Sequence, residues 1–189
     1  MRIISGEFGG RRLKTASGPG YRPATDKVRQ AVFSILEARG LSWNELRAAD
    51  LFAGSGSLGM ECLSRGAAQV WFVEKNRKAL STIQSNLNQL GIPPSRYSLL
   101  GKDVLFWLRK ASSREFDLIF IDPPYGHGLL SSVLEAVLQR GWLGPHALIM
   151  AEVESDLDPQ QQVHDDAELL LSRTYGQTRI CLWTAKDRK

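Results

Sequence analysis

From residue 48 onward, short apolar runs alternate with stretches of helical periodicity, and this alternation constrains the fold more than any other feature of the chain. Residues 48–52, 70–73, 97–100, 118–121 and 147–151 read as strands buried on both faces. Between them, residues 58–65, 77–90, 104–110 and 129–140 carry helical spacing. Successive strand–helix units need crossover connections, so they predict a mainly parallel sheet with helices on both faces. The tail breaks the pattern: residues 168–172 and 179–184 flank Tyr175-Gly176 and predict an antiparallel hairpin at the end of the sheet. Ahead of the alternation, Thr25-Asp26 caps a helix striped by Val28, Ala31, Val32, Ile35 and Leu36 that ends near Gly40. A chain of 189 residues holds one such domain and not two.

Charge is unevenly distributed along that domain. Up to residue 30 the bases Arg2, Arg11, Arg12, Lys14, Arg22, Lys27 and Arg29 face only Glu7 and Asp26, a net +5, while the remainder carries 17 bases and 18 acids. Residues 1–24 therefore read as a basic, Gly-rich arm suited to a phosphate backbone, or else as a solvated terminus. A composition of 43% hydrophobic and 23% charged residues excludes a disordered chain. No apolar run approaches the ~20 residues that span a bilayer, and the first ten residues lack the apolar core of a signal peptide, so a cytoplasmic protein is expected. Cys62 and Cys181 stand far apart and read as reduced, buried residues. His127, His146 and His164 have no ligand spacing, and no metal site is expected.

The turn after the first strand, Asp50-Leu-Phe-Ala-Gly54-Ser-Gly56-Ser-Leu-Gly59, has the spacing of a nucleotide-binding glycine loop. Glu74, twenty positions beyond Gly54 at the end of the second strand, is placed to accept ribose hydroxyls. A carboxylate at Asp50 would repel a dinucleotide pyrophosphate, whereas S-adenosylmethionine carries a sulfonium and an ammonium that suit an acidic pocket. Asp103 follows the third strand, where it could reach an adenine amine, cap the next helix, or do both. Phe52, Lys75 and Val104 flank these positions and are expected at the same pocket.

The segment from Phe116 to Tyr125 is a buried strand that stops abruptly at Asp122-Pro123-Pro124-Tyr125. It presents a carboxylate, a stiffened carbonyl and a flat ring where open α/β sheets bind ligands. An exocyclic base amine is a poor nucleophile because its lone pair is delocalised into the ring. The Asp122 carboxylate and the Pro123 carbonyl can accept its two N–H bonds and turn the lone pair outward, and Tyr125 can stack on the base. The chemistry needs no metal and no covalent intermediate.

Arg2-Ile-Ile-Ser-Gly6, Gly10-Arg-Arg-Leu13, Arg22-Pro-Ala-Thr-Asp-Lys-Val-Arg29, Ala53-Gly-Ser-Gly-Ser-Leu-Gly59, Leu63-Ser-Arg-Gly-Ala67 and Asp122-Pro-Pro-Tyr125 together resemble the RsmD family of bacterial 16S rRNA guanine-N2 methyltransferases. The resemblance implies a Rossmann-like class I fold with a seven-stranded sheet, S-adenosylmethionine as donor, and a guanine of 16S rRNA within an assembling 30S subunit as acceptor; a monomer is expected. It implies Asp50, Gly54, Gly56, Glu74 and Asp103 as cofactor contacts, with Asp122, Pro123, Pro124 and Tyr125 catalytic. Arg11, Arg12, Lys14, Arg22, Lys27 and Arg29 are the expected RNA contacts. Ala24, Gln30 and Ser57 depart from the family's usual Thr, Glu and Ala. Three other readings compete. An adenine-N6 DNA methyltransferase usually needs a further recognition domain, a nicotinamide-dependent oxidoreductase fits poorly with Asp50, and a nonenzymatic RNA-binding module has no use for acids around a glycine loop.

Overall fold

The computed structural model describes residues 1–15, 25–110, 115–162 and 166–186. Helix α1 (Asp26–Ala38) precedes the alternation of β1 (Arg47–Leu51), α2 (Ser57–Arg65), β2 (Gln69–Glu74), α3 (Arg77–Leu90), β3 (Tyr97–Gly101), α4 (Val104–Leu108), β4 (Phe116–Ile121), α5 (Leu129–Gln139) and β5 (Leu143–Glu154). The chain ends in the hairpin β6 (Ala167–Tyr175) and β7 (Thr178–Ala185). The strands form one seven-stranded sheet in the order β3-β2-β1-β4-β5-β7-β6. β1 to β5 pair in parallel, and β7 is antiparallel to both β5 and β6. This is the Rossmann-like, mainly parallel architecture expected from the sequence, with strand order reversing between β1 and β4.

Successive strand residues point to opposite faces, and two separate cores follow from that alternation. Ala48, Val70, Phe72, Leu118 and Phe120 pack with Phe33 and Leu36 of α1, Leu63 of α2 and Ile83 of α3. Ala49, Val73, Ile119, Ile121 and Trp183 pack on the opposite face with Leu108 of α4 and Val133, Leu134 and Val137 of α5. Both cysteines are buried and free. Among the described residues no helix is long and apolar enough to cross a membrane.

Local chemistry sets the helix boundaries. Thr25 caps α1 by accepting the Val28 N–H at 3.3 Å, and Asn76 caps α3 from both Lys78 and Ala79. Residues 77–90 are helical as predicted, whereas α4 stops at Leu108, two residues early. The largest departure is β5, expected over 147–151 and found over Leu143–Glu154. Its last three residues, Glu152 to Glu154, pair only with β7, so a strand from the hairpin lengthens it beyond its parallel partner.

The basic amino terminus is docked rather than frayed. Ile3 donates to Arg11 O and Gly10 to Ile3 O, both at 2.9 Å, closing a small hairpin that buries Ile3 and Leu13. The fully buried Glu61 carboxylate of α2 accepts the N–H groups of Ile4 and Ser5 at 2.7 and 3.0 Å. Gly6 lies so close to the end of α2 that a Cβ there would stand 2.0 Å from Ser64 O.

Candidate active site

β1 delivers Asp50 to the carboxyl edge of the sheet, and the chain then turns sharply into α2. Phe52, Gly54 and Gly56 all have positive φ, at 61°, 55° and 75°. Such a conformation costs a bulky L-residue like Phe52 about 1–2 kcal/mol, so neighbouring bonds must enforce it. They are the Ala53 N–H on Val73 O at 3.1 Å and the Gly54 N–H on Glu74 Oε2 at 3.0 Å. Gly59 serves packing instead, because its Cβ would fall 2.3 Å from the Phe72 ring. Its N–H donates to Asp50 Oδ2 at 3.0 Å.

Asp50 is buried at 2% exposure. Burial lifts its carboxyl to about 7; the Gly59 bond opposes the rise and the Glu74 carboxylate adds to it. Glu74 is nearly as enclosed, and its oxygens accept from Gly54 and, at 2.8 Å, from Asn76. Each oxygen keeps a second lone pair for a ribose hydroxyl. Asp103 caps α4 through the Phe106 N–H at 3.1 Å, while its other oxygen lies 3.5 Å from Lys75 Nζ in an exposed ion pair. Val104 is buried beside it, and Phe106 on the same short helix is 58% exposed.

β4 lies directly beside β1, with Leu51 in register with Ile121, and the Asp122 N–H reaches Leu51 O at 3.4 Å. The Asp122 side of the edge therefore adjoins the glycine loop. Asp122 is partly buried, Pro123 buried, Pro124 exposed and Tyr125 partly buried. Desolvation, then the carboxylates of Glu152 and Asp50, push the Asp122 carboxyl well above the usual range. The Tyr125 hydroxyl hydrogen-bonds to Thr178 Oγ1 at 3.0 Å, and the next amide, Gly126 N–H, donates to Glu154 Oε1 at 2.5 Å. The Tyr125 phenol is also raised, first by desolvation.

Glu152 was not anticipated. It extends the Ala151–Ile121 register by one residue, so β5 sets it alongside Asp122. It is 5% exposed and its carboxyl is lifted to about 7 by burial, with partial relief from Thr178. Its Oε2 has no hydrogen-bond partner among the described residues. The signal in the sequence was an acid directly following a buried strand, the same signal that marked Asp122.

Arg11, Arg12, Lys14 and Lys27 are exposed. Arg11 donates to Gln89 O at 3.2 Å and Lys14 to Ser85 Oγ at 2.8 Å, which lays the first hairpin along α3. α3 begins with Arg77 and Lys78, both exposed, just after Glu74, so positive side chains run from the hairpin toward the carboxyl edge. Arg29 is a correction: it is 0% exposed, and its guanidinium donates to Arg2 O at 2.6 Å and Asp26 Oδ1 at 2.7 Å. It ties α1 to the amino terminus and offers phosphate no surface. Arg22 and His164 lie outside the described residues.

The family described as "Conserved hypothetical protein 95" matches residues 1–184 of the chain. The Bacillus subtilis protein YlbH is 36% identical over 187 residues, covering 97% of this chain and 98% of its own. "Ribosomal RNA small subunit methyltransferase D" of Escherichia coli K12 is 35% identical over 159 residues, covering 82% of this chain and 75% of its own. The solved structure of Escherichia coli yhhF has a TM-score of 0.85 at 30% identity, covering 100% of this chain and 99% of the other. With the glycine loop, the acid at Glu74 and the Asp122-Pro-Pro-Tyr125 strand end assembled on one edge of this sheet, the chain belongs to the RsmD family.

Proposed function

We propose that the protein transfers a methyl group from S-adenosylmethionine to the exocyclic N2 amine of a guanine in small-subunit rRNA. The observation that carries this reading is the adjacency of Asp122 and its rigid Pro123 carbonyl to the glycine loop, across the β1–β4 pair. Relatives named as small-subunit rRNA methyltransferases support the choice of substrate.

The residues fit the donor. Glu74 retains acceptor capacity for the ribose, and Asp103 stands after β3 beside the exposed face of Phe106. Burial, and then the neighbouring Glu74 carboxylate, raise the proton affinity of Asp50, an arrangement that a cation relieves and a pyrophosphate would aggravate. The donor, when bound, supplies an electrophilic methyl carried on a sulfonium.

The chain's own groups act on the acceptor. Asp122 and the Pro123 carbonyl accept hydrogen bonds from the two N2 N–H groups, fix the amine's lone pair out of the ring plane and stabilise the positive charge that grows on nitrogen. The raised proton affinity of Asp122 suits it to receive the proton the amine gives up. Tyr125, oriented through Thr178, stacks on the extruded base. Arg11, Arg12, Lys14 and Lys27 contact phosphates, and the enzyme works as a cytoplasmic monomer on an assembling 30S subunit.

The direct test incubates the protein with labelled donor and unmodified 30S subunits, then identifies the product nucleoside by mass. N2-methylguanosine is expected. Label on another base, or on protein, would refute the reading.

A further inference from the structure

Among the described residues, Glu152 is the buried carboxylate beside the catalytic strand end that the reaction as described leaves unused. One of its oxygens, Oε2, is enclosed and unpartnered. Leaving a polar atom of a charged group in that state costs stability, and in a native site such an atom calls for an explanation. Position supplies one. The parallel register of β4 and β5 puts Glu152 beside Asp122, and both Glu152 and Asp122 act electrostatically on Tyr125. The Thr178 hydroxyl that Tyr125 engages also partly offsets the upward shift of the Glu152 carboxyl. Carboxylate, ring and catalytic carboxylate thus share one small space.

The base chemistry follows from counting donors next to each exocyclic amine. Adenine N6 is flanked by lone pairs at N1 and N7, and cytosine N4 by a lone pair at N3. Guanine N2 is the exception, because N1 beside it carries a hydrogen. An ionised carboxylate offers only acceptors, so a second carboxylate next to the one that holds the amine welcomes guanine and repels the neighbours of the other two amines. We propose that Glu152 accepts the N1–H of the flipped guanine and so selects that base while Asp122 and Pro123 hold its N2 amine. This rests on the guanine-N2 reading above and adds the residue that enforces it. The elevated proton affinity of Glu152 agrees with a group awaiting an N–H donor, since a donated bond and a nearby cation favour its charged form.

2-Aminopurine separates the contacts, since it keeps the N2 amine and presents a lone pair at N1. The modified nucleotide is first located in 30S rRNA by mass, and fragments carrying guanine or 2-aminopurine there are compared by kcat/KM. The parent enzyme should favour guanine by about 10-fold to 100-fold, the range for one hydrogen bond to a charged group. Glu152→Gln and Glu152→Ala should slow transfer to guanine and bring the ratio toward one, with calorimetric affinity for S-adenosylhomocysteine retained. Equal slowing on both bases would show that Glu152 only supports Asp122 and would overturn the proposal. A parent ratio near one would overturn it without any variant. Methylation of adenine or cytosine in the mapping step would refute the functional reading, a failure visible before Glu152 is touched.

Discussion

The Glu74 carboxylate at the end of β2 accepts the Gly54 N–H at 3.0 Å, tying the acid expected on the ribose to the glycine loop twenty residues before it. The side chain therefore has a role in the loop's shape as well as at a ligand.

Glu74→Ala should weaken binding of S-adenosylhomocysteine by ~1.5 to 3 kcal/mol or more, because the loop loses a tether when the ligand loses an acceptor. Glu74→Gln keeps one carbonyl acceptor and should fall between. Calorimetry measures both, with NADH as the comparison ligand. Parent-like affinity in the Ala variant would remove Glu74 from the site.

Asp50 makes a pH-dependent prediction. Its carboxyl ionises near 4 when unfolded and near 7 when folded, so the unfolded state loses its proton first as pH rises. Stability from this group is whole below about pH 4 and is lost progressively up to about pH 7. Asp50→Asn keeps an acceptor for Gly59 and removes the titration. The variant should gain stability relative to the parent by roughly 2 kcal/mol between pH 5 and pH 8. Denaturant titrations of the ligand-free proteins at both pH values check this, and a constant difference would contradict it.

Gly6→Ala should undock the amino-terminal hairpin, because its Cβ would meet Ser64 backbone 2.0 Å away. Ile3 and Leu13 would then lose their cover, at a cost of about 2 to 4 kcal/mol. Limited proteolysis should cut the first fifteen residues in the variant and spare them in the parent.

Neutralising Arg11, Arg12 and Lys14 together should flatten the salt dependence of rRNA binding by a log–log slope of ~2 to 3, with cofactor affinity unchanged. Arg29→Gln should leave that slope alone and lower the melting temperature instead, since its partners are Arg2 O and Asp26. An unaltered slope in the triple variant would take the hairpin out of RNA binding.

Much of this was legible in the sequence because the parallel strands are buried on both faces and so appear as unbroken apolar runs, as at residues 118–121. Helix α3 was legible over residues 77–90 from its spacing, and its ends are local, a side-chain cap at Asn76 and a left-handed Gly91. What could not be read depends on distant partners. The apolar run of β5 ends at Ala151, whereas the strand continues through Glu152 to Glu154 because these residues pair with β7, some thirty positions later. Arg29 belongs by charge to the basic arm, although its spacing to Phe33 and Leu36 puts it on the buried stripe of α1. Its acceptor, Arg2 O, lies 27 residues away. Glu61 likewise reads as a surface acid in a helix, yet it anchors the amino terminus through Ile4 and Ser5.

Single-turnover transfer of labelled methyl to unmodified 30S subunits by Asp122→Ala tests the central claim most directly, with cofactor affinity measured on the same preparation. The variant should bind cofactor like the parent and transfer methyl ~10²-fold to 10³-fold more slowly, with Asp122→Asn less impaired. Transfer by Asp122→Ala at the parent rate would mean that Asp122 is only a rigid strand end and that the amine is activated elsewhere.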